Sequence, residues 1–81
     1  MRVAIHSIQS TLFDGEAEKL ICWTPNGQIT ILDNHLPIIT TLIGPEVKIV
    51  DRQNREKEVR LKGGFLEVRP ESEIVILANS N

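Results

Sequence analysis

The sequence contains very little cysteine. Cys22 is the single cysteine among 81 residues. One thiol can form neither an internal disulfide nor a cysteine-based zinc site, which excludes the disulfide-stabilised and zinc-ribbon classes of small domain. Because Cys22 lies between Ile21 and Trp23, the sequence predicts a small buried hydrophobic side chain rather than a reactive thiol.

Long apolar runs are missing as well. The first residues, Met1–His6, contain no extended apolar segment and therefore predict no secretory signal peptide. No stretch approaches the roughly 20 apolar residues that a transmembrane helix requires. We therefore expect a soluble, cytoplasmic protein without direct membrane insertion, which meets a membrane system only through another protein.

An excess of positive charge is also absent. Nine Lys and Arg residues stand against eleven Asp and Glu residues, and the net charge is −2. In the densest charge run, Arg52–Lys62, both signs alternate, which is typical of a solvated turn and strand face. Nucleic-acid binding needs a one-sided basic patch, so we expect no nucleic-acid partner.

Sequence signals of catalysis are weak. Ser7, Asp33 and His35 are the residue types of a Ser-His-Asp triad, but no nucleophile motif surrounds Ser7. Gly63-Gly64 lacks the Lys and the Ser or Thr that complete a phosphate-binding loop. Two histidines are too few for a metal site, which needs three or four convergent ligands. We therefore expect no enzyme, no metal and no cofactor.

Turn signals, in contrast, are frequent. Gly and Asn tolerate positive φ, and Pro fixes φ, so each signal predicts a chain reversal or a strand end. Their close spacing leaves little room for a helix of ordinary length. At Asp14-Gly15 the signal predicts a turn that leads into a strand through Leu20–Trp23. The signals are Asp14-Gly15, Pro25-Asn26-Gly27, Asp33-Asn34, Gly44-Pro45, Asp51–Glu56, Gly63-Gly64 and Pro70-Glu71.

Between the turns, apolar and polar residues alternate as they do in half-buried strands. Val59 and Leu61 alternate with Arg60 and Lys62, which is a period of two. The run Glu73–Ala78 is apolar after its first residue and predicts a strand with paired neighbours on both sides. Short strands with frequent turns predict an all-β sandwich or flattened barrel. Further alternating segments are Val3–His6, Gln28–Ile31 and Glu46–Ile49.

Two local predictions are sharper than the rest. The polar run Asp51–Glu56 predicts a hairpin that joins Val47–Val50 to Val59–Leu61. Gly63-Gly64 predicts a β-bulge or a close approach of two backbones, because two glycines between strands lose much conformational entropy on folding.

Four segments together resemble one known family. They are Leu12–Lys19, Asn26–Leu32, Asp33–Leu42, and Gly63–Val68 with the strand Ile74–Ala78 after it. Their order and spacing resemble the N-terminal domain of the ATP synthase epsilon subunit, called delta in mitochondria. The resemblance extends over nearly the whole chain, from Val3 to Ala78.

One motif departs from the family pattern. The family reads G-H-x-P-hydrophobic-hydrophobic-T, and here Asn34 takes the position of the glycine before His35. Because Asn is the next-best residue for positive φ, we expect the turn to be retained.

The resemblance implies a fold and a function. It implies one domain over residues 1–81, a flattened β-sandwich of about ten short strands, without the C-terminal helical hairpin of full-length members. It implies a non-catalytic central-stalk subunit that docks on the gamma subunit and the c-ring and couples ion translocation to ATP synthesis. Such a subunit is peripheral at the cytoplasmic face of the cell membrane. The alternative from the residues alone is a stand-alone β-sandwich protein-binding module.

The resemblance also assigns interface residues. It implies that Ser7, His35 and Thr40 face the gamma subunit. Leu36, Pro37, Ile38 and Ile39 would supply apolar area beside them. The turn that meets the c-ring loops would contain Asn26, Gly27 and Gln28.

Overall fold

The computed structural model describes residues 1–79, and all regular secondary structure in that part of the chain is β-strand. The all-β class is confirmed, with eight strands in these residues where the resemblance implied about ten. The strands are β1 (Arg2–His6), β2 (Thr11–Glu16), β3 (Lys19–Thr24), β4 (Gly27–Leu32), β5 (Ile38–Val50), β6 (Glu56–Arg60), β7 (Gly63–Arg69) and β8 (Glu73–Ala78).

The long strand β5 joins the two layers of the sandwich. The strands follow the order β2-β1-β8-β7-β5-β3-β4, with β6 also paired to β5. The first half of β5 pairs with β7, from Ile38↔Val68 to Ile43↔Gly63. Its second half pairs with β6 on one side and β3 on the other. One layer therefore contains β2, β1, β8, β7 and the first half of β5, and the other contains β6, the second half of β5, β3 and β4.

The prediction that Gly44-Pro45 ends a strand is wrong. Both residues lie inside β5, at the point where the strand changes layers. A side chain at Gly44 would lie 2.5 Å from the carbonyl oxygen of Leu61, so only glycine fits there. The Leu61 N–H in turn donates to the Pro45 carbonyl oxygen at 2.9 Å. Backbone crowding, rather than a turn, therefore explains this glycine.

The Asp14-Gly15 turn prediction is also wrong. Both residues are paired with β1, Asp14 with Ala4 and Gly15 with Val3. The chain reverses instead at Ala17-Glu18, where the Ala17 N–H donates to the Met1 carbonyl oxygen at 2.8 Å. A ladder of hydrogen bonds to the preceding strand β1 thus outweighs a local turn preference.

The core is a single cluster between the two layers, formed by alternate residues of almost every strand. Cys22 lies in it, fully buried, and desolvation raises the pKa of its thiol to about 12. The prediction of a small buried hydrophobic residue is therefore confirmed. Other members are Val3, Ile5, Leu20, Ile31, Leu42, Val47, Ile49, Val59, Leu61, Leu66, Val68, Ile74 and Ile76.

Both sharper local predictions are confirmed. The hairpin joins β5 to β6, and one carboxylate oxygen of Asp51 accepts from the backbone N–H groups of Gln53 and Arg55, each at 2.9 Å. At the glycine pair, a Cβ on Gly64 would lie 3.0 Å from the Cα of Ala78 and still closer to the Leu77 carbonyl oxygen. The backbones of β7 and β8 therefore approach each other too closely for any side chain at that position.

Candidate functional site

The turn before β5 has the left-handed backbone geometry that Asn34, in place of the family's glycine, predicts. Asn34 has a φ of 63°, in the left-handed region that Asn tolerates. Its N–H donates to the Ser72 hydroxyl oxygen at 2.9 Å, which ties this turn to the β7–β8 turn. The His35 N–H donates to the Leu32 carbonyl oxygen at 3.2 Å, and its Nδ1 lies 2.7 Å from the carbonyl oxygen of Leu36. Two turns thus support each other at this end of the sandwich, which we call the His35 end.

The residues predicted to face the gamma subunit differ in their exposure. Leu36 is 77% exposed and Pro37 is exposed, whereas His35 is half-buried. Ile38 packs against the core, and Thr40 pairs with the fully buried Leu66, so both lie on the inner side of β5. The apolar area available to a partner at this turn therefore comes from Leu36 and Pro37.

Ser7 lies at the opposite end of its sheet. β1 and β8 run in parallel, with Arg2 beside Glu73 and His6 beside Leu77. Ser7 follows His6 in a tight loop, where its N–H donates to the Ser10 carbonyl oxygen at 2.8 Å. Four strand steps of about 3.3 Å therefore separate His6, the residue before Ser7, from the His35 end.

This separation also bears on the Ser-His-Asp set. The Asp33 carboxylate lies 3.0 Å from the Met1 amino group, which holds the pKa of Asp33 below its usual value. His35 is engaged with its own turn, and Ser7 is a sheet length away. The three residues do not come together as a triad.

The predicted c-ring turn is a short, braced hairpin between β3 and β4. Gly27 has a φ of 120°, which favours glycine, and nothing lies within 4 Å of a Cβ built there. The Thr24 hydroxyl accepts from the Asn26 N–H at 3.1 Å and donates to the Gly27 carbonyl oxygen at 3.0 Å. Asn26, Gly27 and Gln28 are all exposed, and the turn lies at the end of the sandwich opposite His35.

The structure adds an apolar surface of which the sequence predicts only Ile39. Ile39, Phe65 and Leu77 are 76%, 54% and 55% exposed, and Val75 is half-buried. These four residues belong to neighbouring strands, because Ile39 pairs with Glu67 and Glu67 with Val75, while Phe65 pairs with Leu77. They form a continuous surface, which we call the outer face.

A sequence signal for the outer face exists in β8. Ile74 and Ile76 point into the core, while Val75 and Leu77 point outward, so the strand is apolar on both sides. Strands apolar on both faces are typical of sheets covered on both faces. The apolar run in β8 therefore indicates a cover over its second side as well as paired neighbours.

The charges at the outer face form ion pairs, one arginine with two glutamates, and Glu67 lies between Ile39 and Val75. Arg69 lies 3.1 Å from Glu67 and 3.5 Å from Glu73, and Glu67 raises the pKa of the Arg69 guanidinium. A shallow groove along Pro37, Ile39 and Pro70 connects the outer face to the His35 end. The surface therefore suits an apolar protein partner rather than an anion.

Two further findings concern the same part of the chain. Within residues 1–79, no group of three or more His, Cys, Asp or Glu side chains is placed to hold a metal ion. No helix long and apolar enough to cross a membrane occurs in the residues that the structure describes.

Comparisons with known proteins agree on one family. The family described as "ATP synthase, Delta/Epsilon chain, beta-sandwich domain" matches residues 1–81. The ATP synthase epsilon chain of Thermosynechococcus vestitus is 38% identical over 80 residues, covering 98% of this chain and 56% of the relative. That of Alkalihalophilus pseudofirmus is 31% identical over 80 residues, covering 99% of this chain and 59% of the relative. The chain thus spans somewhat more than half the length of these relatives.

Solved structures show the same fold. A chain in the mitochondrial ATP synthase of Euglena gracilis, solved as OSCP, F1 and c-ring, has a TM-score of 0.85 at 15% identity. The match covers 94% of this chain and 48% of that one. A chain in the central stalk and c-ring of the Tetrahymena thermophila enzyme has a TM-score of 0.78 at 16% identity, covering 98% and 63%.

Proposed function

This chain belongs to the ATP synthase delta/epsilon family through its β-sandwich domain, and from that premise we propose that it is a non-catalytic part of the central stalk. In this role it docks on the gamma subunit and on the c-ring. It thereby couples ion translocation to ATP synthesis. The assembly would hold it at the cytoplasmic face of the membrane as a peripheral protein.

The outer face is the observation that carries this proposal. Small two-layer domains rarely expose large side chains from adjacent strands as one continuous surface, and such surfaces mark protein–protein contacts. Aromatic residues are enriched in interface cores, and Phe65 lies at the centre of this one beside Leu77. Arg69 and Glu73, paired at the end of the β7–β8 ladder, give it the polar rim that such interfaces have. We assign the outer face, with Leu36 and Pro37 beside it, to the gamma subunit.

A protein–protein interface of ordinary size is wide enough to include the predicted gamma-facing residues at both ends of the sheet. A standard interface buries about 800 Å² per partner, which corresponds to a patch ~30 Å across. The longest dimension of this domain is 30 Å. One footprint centred on Phe65 can therefore extend from His35 to Ser7. Within it, Ile38 and Thr40 would act from the inner side of β5 by supporting the exposed Ile39.

The c-ring contact would use the Asn26, Gly27 and Gln28 turn. The turn is exposed and polar, and its hydrogen bonds to Thr24 hold it in one conformation. A braced turn suits contact with polar loops because little conformational entropy is lost on binding. It lies in the layer opposite the outer face, so gamma and the c-ring would not compete for the same residues.

A binding experiment with purified gamma subunit tests the gamma assignment. Leu77→Lys should weaken binding at least ~10-fold, because a central apolar anchor becomes a desolvated charge. Leu32→Lys is the matched control, since Leu32 is 53% exposed but lies on β4 in the other layer. Calorimetry would give both affinities, with circular dichroism as the folding check.

Three outcomes are informative. Loss of binding with Leu77→Lys alone supports the outer face as the gamma site. Equal affinity of both variants and the unsubstituted chain would remove the outer face from the interface. No binding by the folded, unsubstituted chain would favour the alternative of a stand-alone β-sandwich binding module.

A further inference from the structure

The free edges of the sandwich differ in charge. β6 carries Glu56, Lys57, Glu58 and Arg60, and β2 carries Asp14 and Glu16. Charged residues and proline are the usual protection of an exposed edge against pairing with another strand. β4 has neither, since Gly27–Leu32 reads GQITIL. The other uncharged edge, the first half of β5, borders the outer face.

Hydrogen-bonding groups of β4 point away from the sheet. Thr24 and Gly27 flank a two-residue turn, and such residues form a hydrogen-bonded pair. Because the pattern alternates, Gln28, Thr30 and Leu32 direct their N–H and C=O groups away from β3. The Leu32 carbonyl oxygen accepts from His35, but within residues 1–79 the groups of Gln28 and Thr30 have no backbone partner.

Two copies of β4 can pair in the antiparallel direction with compatible side chains opposite each other. A two-fold axis at Thr30 places Thr30 opposite its own copy and Gln28 opposite Leu32 of the second copy. Thr30 and its copy then meet as a hydrogen-bonded pair, and the Leu32 N–H faces the Gln28 carbonyl oxygen of the second copy, while the Leu32 carbonyl oxygen stays with His35. Ile29, which is half-buried in the single chain, comes opposite Ile31 of the second copy. No charged side chains of β4 face each other, and cross-strand Thr–Thr pairs are favourable.

We propose that the free edge of β4 pairs with the same edge of a second copy of this chain, forming an antiparallel two-fold dimer about Thr30. One pair of six-residue strands buries less than the roughly 1,200 Å² of a stable interface. The association is therefore weak and reversible. Self-pairing through β4 goes beyond the proposed role in the stalk and leaves the outer face free.

Backbone amide NMR over a dilution series tests the dimer in the unsubstituted chain. Concentration-dependent shifts should be largest at Gln28–Leu32, and sedimentation velocity should show a matching rise in mass. Shifts confined to Phe65 and Leu77 would overturn the proposal, because they would place self-association on the outer face. Shifts absent at all concentrations would overturn it as well.

Thr30→Lys is the decisive variant. Thr30 is exposed, so the fold should tolerate the change, and two lysines would then face each other at the axis. We expect loss of the concentration dependence. Gln9→Lys, which adds the same charge in an exposed loop, should leave it intact. Equal self-association in both variants would refute pairing through β4, whatever the outcome for gamma binding.

Discussion

Gly64→Ala should destabilise this domain by about 1–2 kcal/mol through contact with backbone atoms alone. The added Cβ would lie 3.0 Å from the Cα of Ala78 and closer still to the carbonyl oxygen of Leu77. Neither atom can move as a side chain can, because β8 is paired to β7 on one side and to β1 on the other. Overpacking of this kind costs about 1–3 kcal/mol. The loss of unfolded-state entropy offsets about 0.4–1 kcal/mol of that.

The matched control is Gly15→Ala on β2. There the nearest atom to a new Cβ is a ring carbon of Phe13 at 3.4 Å, which is ordinary contact. The entropy gain should therefore dominate, and stability should stay unchanged or rise by up to about 1 kcal/mol.

Equilibrium urea unfolding measures both variants. With an m-value of about 1 kcal/mol/M for a small domain, the Gly64→Ala midpoint should fall by about 1–2 M. The midpoint of Gly15→Ala should not fall. A Gly64→Ala midpoint within about 0.5 M of the unsubstituted chain at unchanged m would refute the reasoning. It would mean that β7 and β8 separate at little cost.

Three other outcomes are expected. The N–H groups of Arg55 lower the pKa of Asp51 in the folded state, so its contribution to stability is present above the unfolded pKa and lost as pH falls through the folded one. Urea midpoints should therefore decline less toward acid pH in Asp51→Asn. Ile76→Ala should cost about 2–5 kcal/mol of thermal or urea stability, since Ile76 is fully buried, whereas Leu77→Ala should cost under about 1 kcal/mol. Cys22 should resist a thiol reagent at pH 8 until the chain unfolds, because its pKa is about 12; rapid native-state labelling would contradict its burial.

Local sequence patterns predicted the parts of the fold that depend on neighbours in the chain. The period of two at Val59 and Leu61, the polar hairpin Asp51–Glu56 and the left-handed turn at Asn34 all appear in the structure. Each depends on residues a few positions apart, so the sequence contains the information needed.

Two turn signals show where local patterns fail. Asp14-Gly15 and Gly44-Pro45 have the composition of turns, but both lie within strands. Local preference amounts to about 1 kcal/mol and yields to hydrogen-bond ladders, with β1 at Asp14-Gly15 and with β3 and β7 on either side of Gly44-Pro45. Which signal becomes a turn is therefore decided by partners that no local window contains.

The candidate site also has a part that the sequence predicts and a part that only the tertiary structure decides. The sequence alone, through its motifs, determined the family, the all-β class and the turns at Asn34 and Gly27. Only the tertiary structure decided that Ile39, Phe65 and Leu77 share one exposed face while Ile38 and Thr40 point inward. The reason is physical: a strand that is apolar on both sides does not specify which side the second layer covers. The order of the strands makes that choice, and it leaves the other side for a partner.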